Sequence, residues 1–285
     1  NYALGGTDVR GYHALNIAVH VLASLVLYGI VRRTLRGPAL GDRFKNSADG
    51  IALVTALLWL VHPLQTECIA YVSQRSESIM GLFYLLTLYC AIRVAHAARP
   101  WRWNSAAIVA CALGMASKEV MVTAPLMVVF YDWAFRREPF SAVWRRRWPL
   151  YAGLAATWII LAALMAAGPR TRSVGWHLGV GPLSYALNQC LIIPHYLRLI
   201  FWPHPLILDY GQARSIPVAT ALPYAVGLAV VLIAVVAVCW RRPRLGYAAA
   251  WVFVILAPTS SIVPIASEVG AERRMYLPLA GAIVL

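Results

Sequence analysis

Residues 224–240 run from Tyr224 to Trp240 without one charged side chain, and residues 12–31 do the same. Blocks of this kind constrain the fold more than any single motif. A bilayer core is ~30 Å thick, so a helix that crosses it needs ~20 mostly apolar residues. Lipid offers no water to backbone N–H and C=O groups. A crossing segment must therefore satisfy its own hydrogen bonds, which a helix does. The 285 residues are 61% hydrophobic and 13% charged, with a mean hydropathy of +0.67. A soluble domain is about half apolar and about a quarter charged. The sequence reads as an all-α protein, a polytopic transmembrane helical bundle with one multi-spanning domain over residues 1–285.

Spans are read at residues 12–31, 51–61, 79–95, 105–117, 120–135, 150–167, 224–240 and 247–263, with a further one starting at 277. Asn1 is not a Met, and the last apolar run stops within a span, so both ends read as cut, with a first span and outer loop expected upstream. Residues 184–202 are apolar too, but Pro194, His195 and Arg198 interrupt them.

Orientation follows from basic residues in short loops. Arg32, Arg33, Arg36, Arg43 and Lys45 form one group, followed by Arg93, Arg99 and Arg102, then Arg136, Arg137 and Arg145 to Arg147, then Arg241, Arg242 and Arg244. These loops hold most of the 25 basic residues and are read as cytoplasmic. The alternate loops carry Asp8, Glu67, Glu77, Glu119, Asp209, Glu268 and Glu272, and are read as periplasmic or lumenal. The alternation holds for every span except 184–202, which is read as re-entrant or as lying at the outer interface, with an ordinary span and an undetected partner as the alternative. The net charge of +14 then marks topology and contact with anionic lipid heads. Without a soluble basic domain, nucleic acid is not expected as a partner.

Polar residues at membrane depth are the informative ones, and they gather on the outer side. His13, Asn16, His20 and Ser24 make one helical stripe, which reads either as helix–helix hydrogen bonding or as the wall of a substrate cavity. His62, Glu67, Arg75 and Glu77 crowd one short connection. Glu67, Tyr71 and Arg75 are four apart and would share a face if that connection were helical. Lys118 and Glu119 sit at a tight turn; Lys118 is either half of an ion pair or a point charge for an anionic head group. Gln189, Tyr196 and Asp209 belong to an irregular outer segment that could cover a site, with Asp209 either a site carboxylate or a loop cap. Arg273 and Arg274 stand on the outer side, against the orientation rule, and arginine suits bidentate phosphate recognition.

Five cysteines show no CxxC pair. Cys68 and Cys190 are both read as outer, which allows a disulfide. Zinc spacing, a Walker loop and a GxSxG elbow are all missing. No cofactor follows from the sequence, and a divalent metal is left open.

The ordered segments GYHALNIAVH, HPLQTECIAYVSQRSE, SKEVMVTAPLMVVFYD, NQCLIIPHYLRLIFWPHPLILDYG and SEVGAERRMYLPLAG resemble the membrane part of the transmembrane and tetratricopeptide-repeat O-mannosyltransferases and their bacterial relatives. These are glycosyltransferases of the GT-C fold. The resemblance covers nearly the whole chain. It implies a sugar donor, mannose in the family, carried on a polyprenyl phosphate. It also implies an acceptor hydroxyl on a protein or glycan, and a site on the non-cytoplasmic side of a bacterial inner membrane or endoplasmic reticulum. The family places a catalytic acid in the first outer loop. Residues 1–6 resemble the end of that loop, so the main carboxylate is expected upstream of residue 1 and tetratricopeptide repeats downstream. The implied chemistry is inverting: a carboxylate deprotonates the acceptor hydroxyl, which attacks the anomeric carbon as the lipid phosphate leaves. Glu67, Glu77 and Asp209 would support this, and Arg273, Arg274, Lys118 and Arg75 would hold the donor phosphate. His13, Asn16, His20, His62, Gln189 and Tyr196 would line the cavity. A lipid flippase and a non-catalytic scaffold are the rival readings. Repeated halves, which a transporter would show, are not seen.

Overall fold

The computed structural model describes residue 6 and residues 8–71, 74–167, 181–261 and 268–285. The first-loop remnant at 1–5 and the end of the span read at 247–263 lie outside these. The described residues are helical and contain no strand. In chain order the helices are α1 (Val9–Arg36), α2 (Gly41–Phe44), α3 (Ala48–Val61), α4 (Thr66–Ala70), α5 (Arg75–Arg93), α6 (Pro100–Ser117), α7 (Ala124–Phe135), α8 (Phe140–Ala156), α9 (Trp158–Ala167), α10 (Pro182–Phe201), α11 (Val218–Arg241), α12 (Pro243–Leu256) and α13 (Pro278–Val284). Contacts cluster into two compact units, residues 1–161 with Val284, and residues 162–283 with Leu285.

By length and apolarity, three helices among the described residues suffice to cross a membrane: Val9–Arg36, Phe140–Ala167 and Val218–Arg241. α1 starts where Asp8 accepts a hydrogen bond from the Arg10 N–H at 3.0 Å, and ends with Arg33 and Arg36 in its last turn. Cations there favour the negative end of the helix dipole.

α3 stops because Pro63 cannot continue a helix and pushes the residue before it to extended backbone. His62 accordingly has ψ 133°, and its Nδ1 accepts from the Leu64 N–H at 3.2 Å. The chain bends by 55° here, and with residues 63–70 it makes a fourth candidate crossing.

Other boundaries depart from the sequence reading. The run read as one span at 120–135 opens with a 3-10 turn, Glu119–Thr123, because Lys118 is extended and Pro125 starts the α-helix. α4 ends at Ala70 with Tyr71 extended, and α5 starts afresh at Arg75. Glu67, Tyr71 and Arg75 therefore do not share a helix face. Nearly all of residues 184–202 lie in one helix, α10 (Pro182–Phe201), which runs on through Pro194 and ends before Trp202.

In the first unit α1 packs on α3 and α5, and α5 on α6. The buried stripe of α1 is Asn16, Val19, His20, Ala23, Ser24, Leu27, Ile30 and Val31, at the three- and four-residue spacing of one helix face. Arg136 and Arg147, read as topology markers, do more than that. Asp132 at the end of α7 is 1% exposed. It accepts from Arg147 Nη1, Arg136 Nε and the Tyr151 hydroxyl, each at 2.6 Å. Arg147 Nη2 also donates to the Ala91 carbonyl at 2.7 Å, tying α5, α7 and α8 together.

In the second unit α11 packs on α10 and α12. Gly246 allows α12 close to α11: a Cβ there would lie 2.4 Å from the Cys239 Cα. Apart from Ala221, α11 keeps its residues outside the core, with Val226, Val230, Ile233 and Val236 all exposed. An apolar face of that length is a liability in water and ordinary in lipid.

Two outcomes are expected for purified protein in detergent. Gly246→Ala should lose about 1–3 kcal/mol through overpacking, whereas Gly227→Ala, with nothing within 4 Å, should be neutral or slightly stabilising. Asp132→Asn leaves two guanidinium groups without their carboxylate and should cost about 3–5 kcal/mol. Thermal unfolding of each variant checks both.

Candidate functional site

The first unit assembles its polar groups around the break after α3. A helix end leaves carbonyls without intrahelical partners. Asn16 Nδ2 donates to the Ile69 carbonyl at 3.1 Å, at the end of α4. His20 Nε2 lies 3.0 Å from the Leu60 carbonyl, at the end of α3, and its ring is 4.9 Å from that of Trp59. Ser24 donates to the Ala56 carbonyl at 3.0 Å. Three members of the stripe thus fasten α1 to the broken helix. His13 is half-buried on the same helix. Asn16 Oδ1 is buried with no hydrogen-bond partner among the described residues.

Past the break, His62 caps the 3-10 turn Pro63–Gln65, and Glu67 is buried in the first turn of α4. Glu77 is 2% exposed in the first turn of α5, where the helix dipole favours an anion. It forms an ion pair with Lys118 across 41 residues of sequence. Lys118 is thereby committed within the protein. The Arg75 guanidinium sits 5.2 Å from the centre of the Tyr12 ring.

The second unit builds its polar cluster around the 3-10 turn Glu272–Met275, all of which is buried. Arg274 Nη1 donates to the Thr259 carbonyl at 3.0 Å and the Val269 carbonyl at 3.3 Å, and Nη2 to the Glu268 carbonyl at 3.2 Å. Its planar fork serves mainly backbone carbonyls, with the Tyr185 hydroxyl at 3.4 Å and a Glu268 carboxylate oxygen at 3.5 Å. Arg273 instead directs one nitrogen at both carboxylate oxygens of Glu268. Gln189 Nε2 donates to the Val269 carbonyl at 2.8 Å, and its Oε1 is buried with no hydrogen-bond partner among the described residues. The Tyr196 hydroxyl accepts from the Ala271 N–H at 2.6 Å.

Sequence reasoning passed over two tyrosines here. The Tyr185 hydroxyl donates to the Thr259 carbonyl at 3.0 Å. Tyr210 donates to Glu272 Oε1 at 3.1 Å and lies 3.0 Å from His195 Nε2. The aromatic belt expected of any membrane protein hides such residues. Asp209 is exposed and accepts from the Gly211 N–H at 2.7 Å, closing a turn in which Gly211 has φ +68°. Its structural role is therefore that of a loop cap.

The residues read as one donor-phosphate set divide between the units, Arg75 and Lys118 in the first, Arg273 and Arg274 in the second. Cys68 is buried in the first unit and Cys190 half-buried in the second. Among the described residues no three His, Cys, Asp or Glu side chains are grouped to hold a metal ion.

A family model described as dolichyl-phosphate-mannose-protein mannosyltransferase matches residues 2–166, more than half of the chain. The protein O-mannosyl-transferase TMTC4 of Mus musculus is 26% identical in an alignment covering 100% of this chain and 44% of its own length. Tmtc2 of Drosophila melanogaster is 26% identical over 78% of this chain and 24% of its own. TMTC1 of Homo sapiens is 38% identical over 30% of this chain and 9% of its own. The chain spans less than half the length of these relatives. No solved structure matches it. With its helical architecture, its membrane-spanning segments and a family match over most of the first unit, the chain belongs to the dolichyl-phosphate-mannose-protein mannosyltransferase family, whose fold is GT-C.

Proposed function

We propose that the protein containing this chain is an integral-membrane glycosyltransferase that moves mannose from a polyprenyl phosphate to a hydroxyl of a protein or glycan. Its site lies on the membrane face opposite the arginine-rich loops. The observation that carries this reading is the family match over residues 2–166, the stretch that also holds buried Glu67 and the Glu77–Lys118 pair.

The reaction needs a base for the acceptor hydroxyl and cations for the phosphate that departs. A placed base contributes ~10²–10⁴-fold, and preorganised charge usually contributes more. The base is assigned to an acidic residue upstream of residue 1. Arg273 is the best-placed phosphate ligand of its unit, because its guanidinium holds both oxygens of the Glu268 carboxylate, which Arg274 meets only at 3.5 Å. Phosphate binding there exchanges one oxyanion for another. Arg274 orients the turn that presents Arg273. Glu77 and Lys118 hold the first unit's outer connections in place.

Two comparisons test these roles with full-length protein in membranes and a radiolabelled polyprenyl-phosphate mannose. Arg273→Ala should lower kcat/KM by ~10²-fold or more with unchanged insertion, while Arg274→Lys, which lacks the fork, should lower thermal stability and protein level first. Full turnover by Arg273→Ala would sink the phosphate assignment. Glu77→Gln should destabilise by up to about 3 kcal/mol, because it leaves Lys118 unpaired. Glu77→Gln combined with Lys118→Met should restore both stability and transfer. Restored stability with transfer still lost would instead place the pair in contact with substrate.

A further inference from the structure

α1 and α5 leave a groove of about 310 Å³ on their outward side, toward the arginine-rich end of α1. Leu22, Leu25 and Val26 form its apolar wall, Tyr89 of α5 faces them, and Arg32 and Arg33 stand at its rim. Gly29 sets the shape. A Cβ there would lie 2.7 Å from Tyr89 Cε2, so the ring lies directly against α1.

The charge at the rim is only partly neutralised. Arg32 and Arg36 share the carboxylate of Asp49. Arg33 stacks on Tyr89 at 5.3 Å, and Arg93 lies 5.9 Å from the same ring and 4.3 Å from Trp103. Among the described residues neither Arg33 nor Arg93 makes an ion pair. A guanidinium stacked on an aromatic face still presents its N–H edge to an oxyanion.

Leu22 and Leu25 are 51% and 60% exposed, so the wall opens to lipid. Eleven residues separate Leu22 from Arg33, about 16 Å of helix, which is roughly half of a ~30 Å hydrocarbon core. That is the depth of one leaflet. Two arginines without a carboxylate partner, Arg93 donating to the Tyr89 hydroxyl at 3.2 Å, stand above an apolar channel that descends one leaflet, and they match one kind of occupant.

We propose that this groove is a binding site for a glycerophospholipid with an anionic head group, drawn from the leaflet at the arginine-rich end of α1. The phosphate meets Arg33 and Arg93, and an acyl chain lies along Leu22 and Leu25. The volume is at the low end of the ~300–1,000 Å³ found for small-molecule pockets, so it takes the head group and the start of a chain. The site depends on the chain being a membrane protein and is independent of the transferase reading.

The test uses full-length protein in phosphatidylcholine nanodiscs, doped with a photo-crosslinking phosphatidylglycerol probe and analysed by peptide mass spectrometry. Crosslinks are expected on residues 22–33 and on Tyr89. Each arginine replaced, in Arg33→Gln and Arg93→Gln, should weaken labelling by ~5-fold, the order set by one basic residue at an anionic surface. Leu25→Trp, which fills the channel while keeping the charge, should also abolish it, and thermal midpoints confirm that each variant is folded. Equal labelling by a phosphatidylcholine probe overturns the proposal. So does labelling that survives Arg33→Gln with Arg93→Gln, or competition by soluble glycerol phosphate as effective as that by phosphatidylglycerol.

Discussion

A backbone carbonyl at the end of a helix in a membrane has no water to turn to, and much of this structure follows from that. Where α3 breaks at Pro63, the carbonyls of Leu60 and Ile69 are met by His20 and Asn16 from α1. Where α12 gives way to irregular chain, the Thr259 and Val269 carbonyls are met by Tyr185, Gln189 and Arg274. An unmet buried polar group costs several kcal/mol in hydrocarbon. A broken helix is tolerated there only because a polar side chain on a neighbouring helix serves the break.

This changes which polar residues carry functional meaning. In a span, an Asn or His is conspicuous whether it serves a carbonyl or a substrate. Most members of the polar stripes here are engaged with backbone, so their presence follows from the breaks. What stands apart is charge paired with charge: Glu77 with Lys118, and Arg273 with Glu268. Neither pair is needed to satisfy a carbonyl. Holding ions at low exposure has a desolvation cost that a helix end does not demand. Arg273 directs a nitrogen at both Glu268 carboxylate oxygens, whereas its neighbour Arg274 reaches that carboxylate only at 3.5 Å and spends its fork on backbone carbonyls.

The exposed apolar helix of the second unit follows the same logic in reverse. α11 exposes its valines and isoleucines, which in lipid need no partner. There the helices are held by close approach of small residues such as Gly246, since hydrocarbon supplies no hydrophobic drive to associate. At the arginine-rich side the Asp132 cluster performs for α5, α7 and α8 what carbonyl bonds perform elsewhere, with charge in place of backbone.

Composition and apolar blocks were enough to read an all-helical membrane protein, because lipid thickness and backbone satisfaction are constraints on sequence itself. The ordered motifs were enough to read the family. Pro63 announced the end of α3, since a proline's missing N–H acts locally. What local pattern could not reach was the use of each polar group. Glu67, Tyr71 and Arg75 are spaced for one helix face and fall on separate elements, because the backbone turns extended at Tyr71. Asp132, Tyr185 and Tyr210 look ordinary in sequence and become anchors only when partners from distant segments arrive. Arg273 and Arg274 read alike, yet one sets a nitrogen on both oxygens of Glu268 and the other, 3.5 Å from that carboxylate, donates to three carbonyls. Period and composition report which medium a residue sits in. Only tertiary structure decides which donor meets which acceptor, because hydrogen bonds and ion pairs act over ~3 Å between groups that the chain brings together from far apart.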